Sequence, residues 1–86
     1  MAKYDPLQRL LERNGSPALT LRFAEIDAVV GGLPAYARSG DLRWWENENE
    51  SGHHVQARAW REAGYKVWSV KFDAETVEFQ KAENSN

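Results

Sequence analysis

The 86-residue sequence contains no cysteine. Disulfide cross-links and thiolate metal sites are excluded, which fits a reducing cytoplasm. Long apolar runs are missing as well. No segment approaches the roughly 20 residues needed to cross a bilayer, and the opening MAKYDPLQ lacks the apolar stretch of a signal peptide. A cytoplasmic protein without membrane contact is expected. Catalytic signatures are also wanting. There is no G-x-S-x-G, no P-loop, no cysteine nucleophile and no Rossmann glycine pattern, and the few serines have no histidine beside them in a recognisable arrangement. The expectation is a binding protein, not an enzyme, with no small-molecule cofactor. Nor does either charge dominate: 11 Lys and Arg stand against 13 Asp and Glu, a net charge of -2. Bulk electrostatics therefore do not announce a nucleic-acid binder.

What the chain has in quantity is aromatic. Four Trp, three Tyr and three Phe are many for one small domain, whose core is modest and whose every large side chain counts. A hydrophobic share of 42% and a charged share of 28% are those of a globular protein.

The periodicities divide the chain as follows. Asp5-Pro6 starts a helix over about Pro6 to Arg13, with Leu7, Leu10 and Leu11 on one side and Asn14-Gly15 as its stop. Leu19, Leu21 and Phe23 alternate with Thr20 and Arg22 as a short half-buried strand. Ile26, Val29 and Val30 then take up the helical period over about Ala24 to Val30, ended by Gly31-Gly32. A short helical turn follows from Pro34 to Arg38. The loop Asp41 to Gly52 is polar and acidic apart from Leu42, Trp44 and Trp45. In an extended segment, adjacent tryptophans point to opposite sides, so one is expected in the core and one on the surface.

A third helix, about His53 to Ala63, stops at Gly64. Val55, Gln56, Ala59, Trp60 and Ala63 fall on one arc and His54, Ala57, Arg58 and Arg61 on the other. The first arc is expected to pack and the second to face solvent. Tyr65 to Phe72 reads as a strand with Trp68, Val70 and Phe72 on one side, turning at Asp73 to Glu75 into a return strand, Thr76 to Gln80. A lone hairpin is marginal in water, so it must pack on the helices or pair with the first strand. Residues 82-86 are expected to be a frayed tail behind a single domain over 1-81.

The order helix, strand, helix, short turn, helix, strand, strand predicts an α+β domain of winged-helix type: three helices and a small antiparallel sheet. The departure is a connection of over twenty residues between the second and third helices. The elements also resemble, by the residues Tyr4 to Leu7, Phe23 to Ile26, Gly31 to Pro34, Trp44 to Asn47, His54 to Trp60, Ala63 to Tyr65, and Val77 with Phe79, a small bacterial domain family of unknown function. The resemblance covers nearly the whole chain and implies no established activity. Arg22 departs from it, standing where a threonine helix cap is usual, and Tyr36 stands near an expected serine.

Two constellations carry candidate chemistry. In a helix-turn-helix, the exposed arc of the last helix enters the major groove, where arginine bonds guanine in bidentate fashion and an alanine lies against a thymine methyl. His54, Ala57, Arg58 and Arg61 would read bases, and Lys66 and Lys71 on the hairpin would touch phosphates. Any surface helix carries arginines, and pairing with Glu62 or water is the plain alternative. The second set is Trp44, Trp45 and Asn47, with His54: two aromatics and an amide that would enclose a flipped or modified base, or simply fill the core and tie down the loop. His53 and His54 beside Glu46, Glu48 and Glu50 make a poor metal set, because adjacent side chains on a helix diverge by about 100°. The expected partner is duplex DNA, bound without any bond being made or broken. The competing reading is a protein-interaction module or small inhibitor of phage or bacterial origin, using the acidic loop 46-50 and the Trp44-Trp45 surface.

Overall fold

The computed structural model describes residues 3-46 and 55-82. Helix α1 spans Asp5–Asn14 and is followed by strand β1, Ala18–Arg22, and helix α2, Phe23–Val30. Two single turns of 3-10 helix, Ala35–Arg38 and Leu42–Trp45, lead towards helix α3, Val55–Glu62. Strands β2, Tyr65–Lys71, and β3, Thr76–Lys81, close the chain. The domain is α+β, with three α-helices and a three-stranded antiparallel sheet among the described residues. The sheet order is β1-β3-β2, so the last strand fills the place between the first two. The hairpin thus gains both supports that it needs: a third strand and a helical layer. The expected tail, 82-86, lies outside the described residues apart from Ala82, whose N–H donates to the Gly64 carbonyl at 2.8 Å.

The helix ends follow local chemistry. Pro6 lies in the first turn of α1, and Gly15, at φ 67°, turns the chain into the left-handed region that ends it. Leu7 and Leu11 are wholly buried. Helix α2 begins directly at the end of β1. Arg22 is its extended cap residue, and the Glu25 carboxylate accepts the Arg22 backbone N–H at 2.8 Å. Arginine carries no acceptor, so only this half of a capping box forms. At the other end Gly31 is left-handed, and Asp27 accepts the Leu33 N–H at 2.6 Å and pairs with Arg38 at 3.4 Å. One carboxylate thereby fixes how the chain leaves α2.

Register decides which strand residues meet the helices. Leu21 lies opposite Val77 and Leu19 opposite Phe79 in the β1-β3 pair. Val70 and Val67 lie opposite the same two residues in the β2-β3 pair. The opposite face carries Thr20, Ser69 and Glu78. The pairing shifts between Val67 and Ser69, leaving Trp68 without an opposite number. This β-bulge corrects the expected alternation. One extra residue resets the parity, so Val67 and Val70 both face the core and Trp68 is expelled, 58% exposed.

The core is an aromatic stack. The Trp45 indole lies between the Phe23 ring of α2, 5.4 Å away at 14°, and the Trp60 indole of α3, 6.0 Å away at 19°. Phe79 of β3 continues the row beyond Trp60 at 5.7 Å. Trp44 stands edge-on to Trp45 at 4.6 Å and 74°, and Tyr4, the residue before α1, meets Trp44 edge-on at 6.0 Å. Both tryptophans of the pair are therefore buried, at 7% and 2% exposure. The expected division into one inner and one outer ring fails because the segment is not extended. A tight helical turn sends neighbouring side chains to positions about a third of a circle apart, and both directions lead inward.

Replacing Trp45 with alanine should cost about 3–5 kcal/mol of unfolding free energy in urea, the range for emptying a buried aromatic site. Trp68→Ala, at the exposed bulge, should stay within about 0.5 kcal/mol of the parent. Equal losses for the two would contradict this assignment of the core.

Candidate nucleic-acid interface

Helix α3 presents two very different surfaces. Gln56, Ala57, Ala59 and Trp60 are buried, and Arg58, Arg61 and Glu62 are exposed. At 100° per residue the buried set covers about 160°. Ala57 was expected on the wet arc but is 0% exposed. It sits at the margin of the packed arc, and a methyl group is small enough for the neighbouring elements to close over it. It is thus unavailable to a thymine methyl. His54 and Asn47, together with His53 and all of the acidic loop except Glu46, lie outside the described residues.

Arg58 and Arg61 do face solvent, but they differ. The Arg58 Nε–H donates to the Glu62 carboxylate at 2.7 Å, one turn along the same face. Glu62, through this hydrogen bond and its charge, holds the Arg58 guanidinium above its ordinary basicity, with a smaller contribution from the charge of Asp5. Arg61 has no ion-pair partner among the described residues. It also lies in the last turn of α3, where a cation complements the helix dipole.

The hairpin lysines stand elsewhere. Lys66 lies opposite Gln80 and Lys71 opposite Thr76, which puts both on the sheet face turned away from the helices. The Lys66 ammonium sits 5.4 Å from the centre of the Trp68 ring, a cation–π contact. Lys71 is exposed where β2 enters the turn that carries Asp73 and Glu75. The structure brings Arg58 and Arg61 together on α3 and groups Lys66 with Lys71 on the sheet, without joining the two pairs by any contact.

The second constellation dissolves. Trp44 and Trp45 belong to the core, at 7% and 2% exposure, so the pair cannot enclose a base. The Trp45 Nε1–H donates to the buried Ala37 carbonyl at 2.9 Å, which satisfies its one polar atom. Gln56, hidden in α3, donates from Nε2 to the Trp44 carbonyl at 2.9 Å and so ties the aromatic turn to the helix. This buried amide escaped sequence reading: glutamine on a packing arc gives no sign of which carbonyl awaits it.

Asp41 holds the start of the same turn. It accepts the Arg43 N–H at 2.9 Å and the Arg43 guanidinium at 2.8 Å, and the Tyr36 hydroxyl donates to it at 3.1 Å. The Arg43 side chain first, then its backbone N–H, hold the Asp41 carboxyl well below the usual carboxylate range. Among the described residues no group of three or more His, Cys, Asp or Glu is placed to hold a metal ion. No described helix is long and apolar enough to cross a membrane.

Gln56→Leu should cost about 1–3 kcal/mol, because the Trp44 carbonyl would be left buried and unpaired; urea unfolding measures it. Asp41 gives a pH-dependent expectation. Its folded-state pKa is depressed, so the stabilisation from its charge is complete above the ordinary carboxyl value of 3.8 and is lost as pH falls towards the folded value. Asp41→Asn keeps a capping side chain and removes the charge. The gap between the urea midpoints of parent and variant should be open at neutral pH and narrow below about pH 4.

No curated protein and no solved structure matches the chain. A family model does, over residues 4–82, and its description is Domain of unknown function (DUF7662). With nearly its whole length inside that match, the chain belongs to this family.

Proposed function

We propose that the domain is a winged helix that binds duplex DNA without catalysis, as a small regulator, presenting α3 to the groove. The observation that carries this reading is topological. Helices α2 and α3 follow one another around the aromatic core, and the β2-β3 hairpin leaves α3 directly as a wing. Its sheet is completed by the short strand between the first two helices. In such an arrangement the outer face of the last helix meets the groove and the hairpin lies against the backbone. Here that face carries two guanidinium groups in solvent.

The roles differ from residue to residue. Arg61 has no ion-pair partner among the described residues and is the primary contact. Arg58 reaches a phosphate or a guanine only by sharing or leaving Glu62. Lys71, at the mouth of the hairpin turn, is the phosphate contact of the wing. Lys66 is occupied with Trp68 and contributes through its charge alone. A net charge of -2 leaves little long-range attraction, so binding is weak away from a preferred sequence.

Fluorescence anisotropy with labelled duplexes tests this. Binding at low salt should weaken by about tenfold for each of Arg58→Ala and Arg61→Ala if they read bases. Where they contact phosphates instead, the slope of log K against log salt should fall by about one per residue. Glu62→Gln, which frees Arg58 and removes a carboxylate from the contact face, should tighten binding. Absence of binding to any duplex, or indifference to both arginines, would sink the reading.

A further inference from the structure

The outer edge of β2 carries a surface that the exposed face of α3 does not use. Trp68 is expelled there by the bulge, and Leu42, from the second 3-10 turn, is equally exposed at 58%. Between them runs an open groove of about 390 Å³, lined chiefly by Leu42, Trp45, Glu46, Val67, Trp68 and Val70. An exposed indole beside an apolar groove in a small, otherwise well-packed domain is a contact surface awaiting an occupant.

We propose that the occupant is a second copy of this chain, related by a two-fold axis, with the Trp68 ring of each copy seated in the groove of the other. Knob and groove are neighbours on a single surface, which is the self-complementarity that an isologous contact requires. The charges agree. Glu46 lines the groove, Lys66 rides on the Trp68 ring, and neither has an ion-pair partner among the described residues. Inserting Trp68 therefore carries its own ammonium towards the partner's Glu46, and the two-fold axis makes this pairing twice. The bulge also interrupts the strand edge at Trp68, so the contact is made by side chains and not by extending the sheet. The same carboxylate disfavours a polyanion on this surface. A contact set this small, against the roughly 20–30 residues a side of a standard interface, gives a concentration-dependent dimer with a dissociation constant of about micromolar or weaker. The inference uses neither arginine of α3 and shares with the DNA-binding reading only the charge of Lys66, so Trp68→Ala and Leu42→Glu separate the two.

Sedimentation equilibrium on the full chain, from micromolar to millimolar concentration, is the test. A monomer–dimer equilibrium is expected, weakened about tenfold or more by Trp68→Ala and abolished by Leu42→Glu. Both side chains are exposed, and circular dichroism with a urea midpoint establishes that each variant is folded. Glu46→Lys alone and Lys66→Glu alone should each be monomeric, while an equimolar mixture of the two should form a one-to-one dimer. A parent chain that stays monomeric throughout overturns the proposal, even if a different protein is found to bind at Trp68. So does a dimer that Trp68→Ala leaves intact, or a mixture of the two charge variants that fails to associate.

Discussion

The sandwich of Trp45 between Phe23 and Trp60 is the contact on which the rest of this fold depends. Its three rings come from three separate parts of the chain: the start of α2, the second 3-10 turn, and α3. Through Trp60 it reaches Phe79 on the middle strand of the sheet. A domain of this size has few large side chains with which to fix the relative placement of its elements. Here one near-parallel stack does so for α2, α3 and the sheet together. Because the indole N–H is satisfied by Ala37, the ring is anchored in orientation as well as position.

The stack also accounts for the long connection between α2 and α3. A tight turn would leave the two helices in direct contact at one end; this chain inserts a wedge instead. Asp27 fixes the exit from α2, Asp41 starts the second 3-10 turn, and Gln56 holds that turn against α3. Each is a polar side chain bonded to a backbone group that regular structure would otherwise have to satisfy. The described part of the connection, as far as Trp45, is therefore part of the core architecture, and Gln56 ties α3 to it.

Local features were legible in the sequence where the chemistry is local. The leucine stripe of α1, the glycine stops at Gly15 and Gly31, and the inward pair Val77 and Phe79 all follow from period and backbone freedom. The order of elements was legible for the same reason. Three features were not. Trp44-Trp45 lies in a tight turn capped by Asp41, where an extended segment was expected. The bulge at Trp68 adds one residue to a strand without any glycine or proline to announce it. Ala57 is small enough to belong to either arc of α3, and its burial is decided by neighbours brought in by tertiary packing. For the bulge and for Ala57 the missing information lies in tertiary contacts that a short window cannot contain. The candidate site suffered accordingly: the two arginines stood where the helical period put them, and the aromatic pocket did not survive.

The charge pattern on α3 bears on what the protein can recognise. A bare arginine on a surface helix attracts any polyanion, whereas one already bonded to a carboxylate one turn away does so only where the incoming acceptor outcompetes that carboxylate. On the proposed DNA-binding reading, Glu62 is an internal competitor for Arg58, and the acidic balance of the whole chain adds to the same discrimination. An arrangement of this kind costs affinity for every polyanion equally and recovers it only where the geometry offers Arg58 a bidentate acceptor, so the pairing favours selectivity over strength. Trp68 at the β2 bulge obeys the same logic. Its ring is exposed but covered on one face by an ammonium, so it welcomes an apolar groove that brings a carboxylate and penalises one that does not.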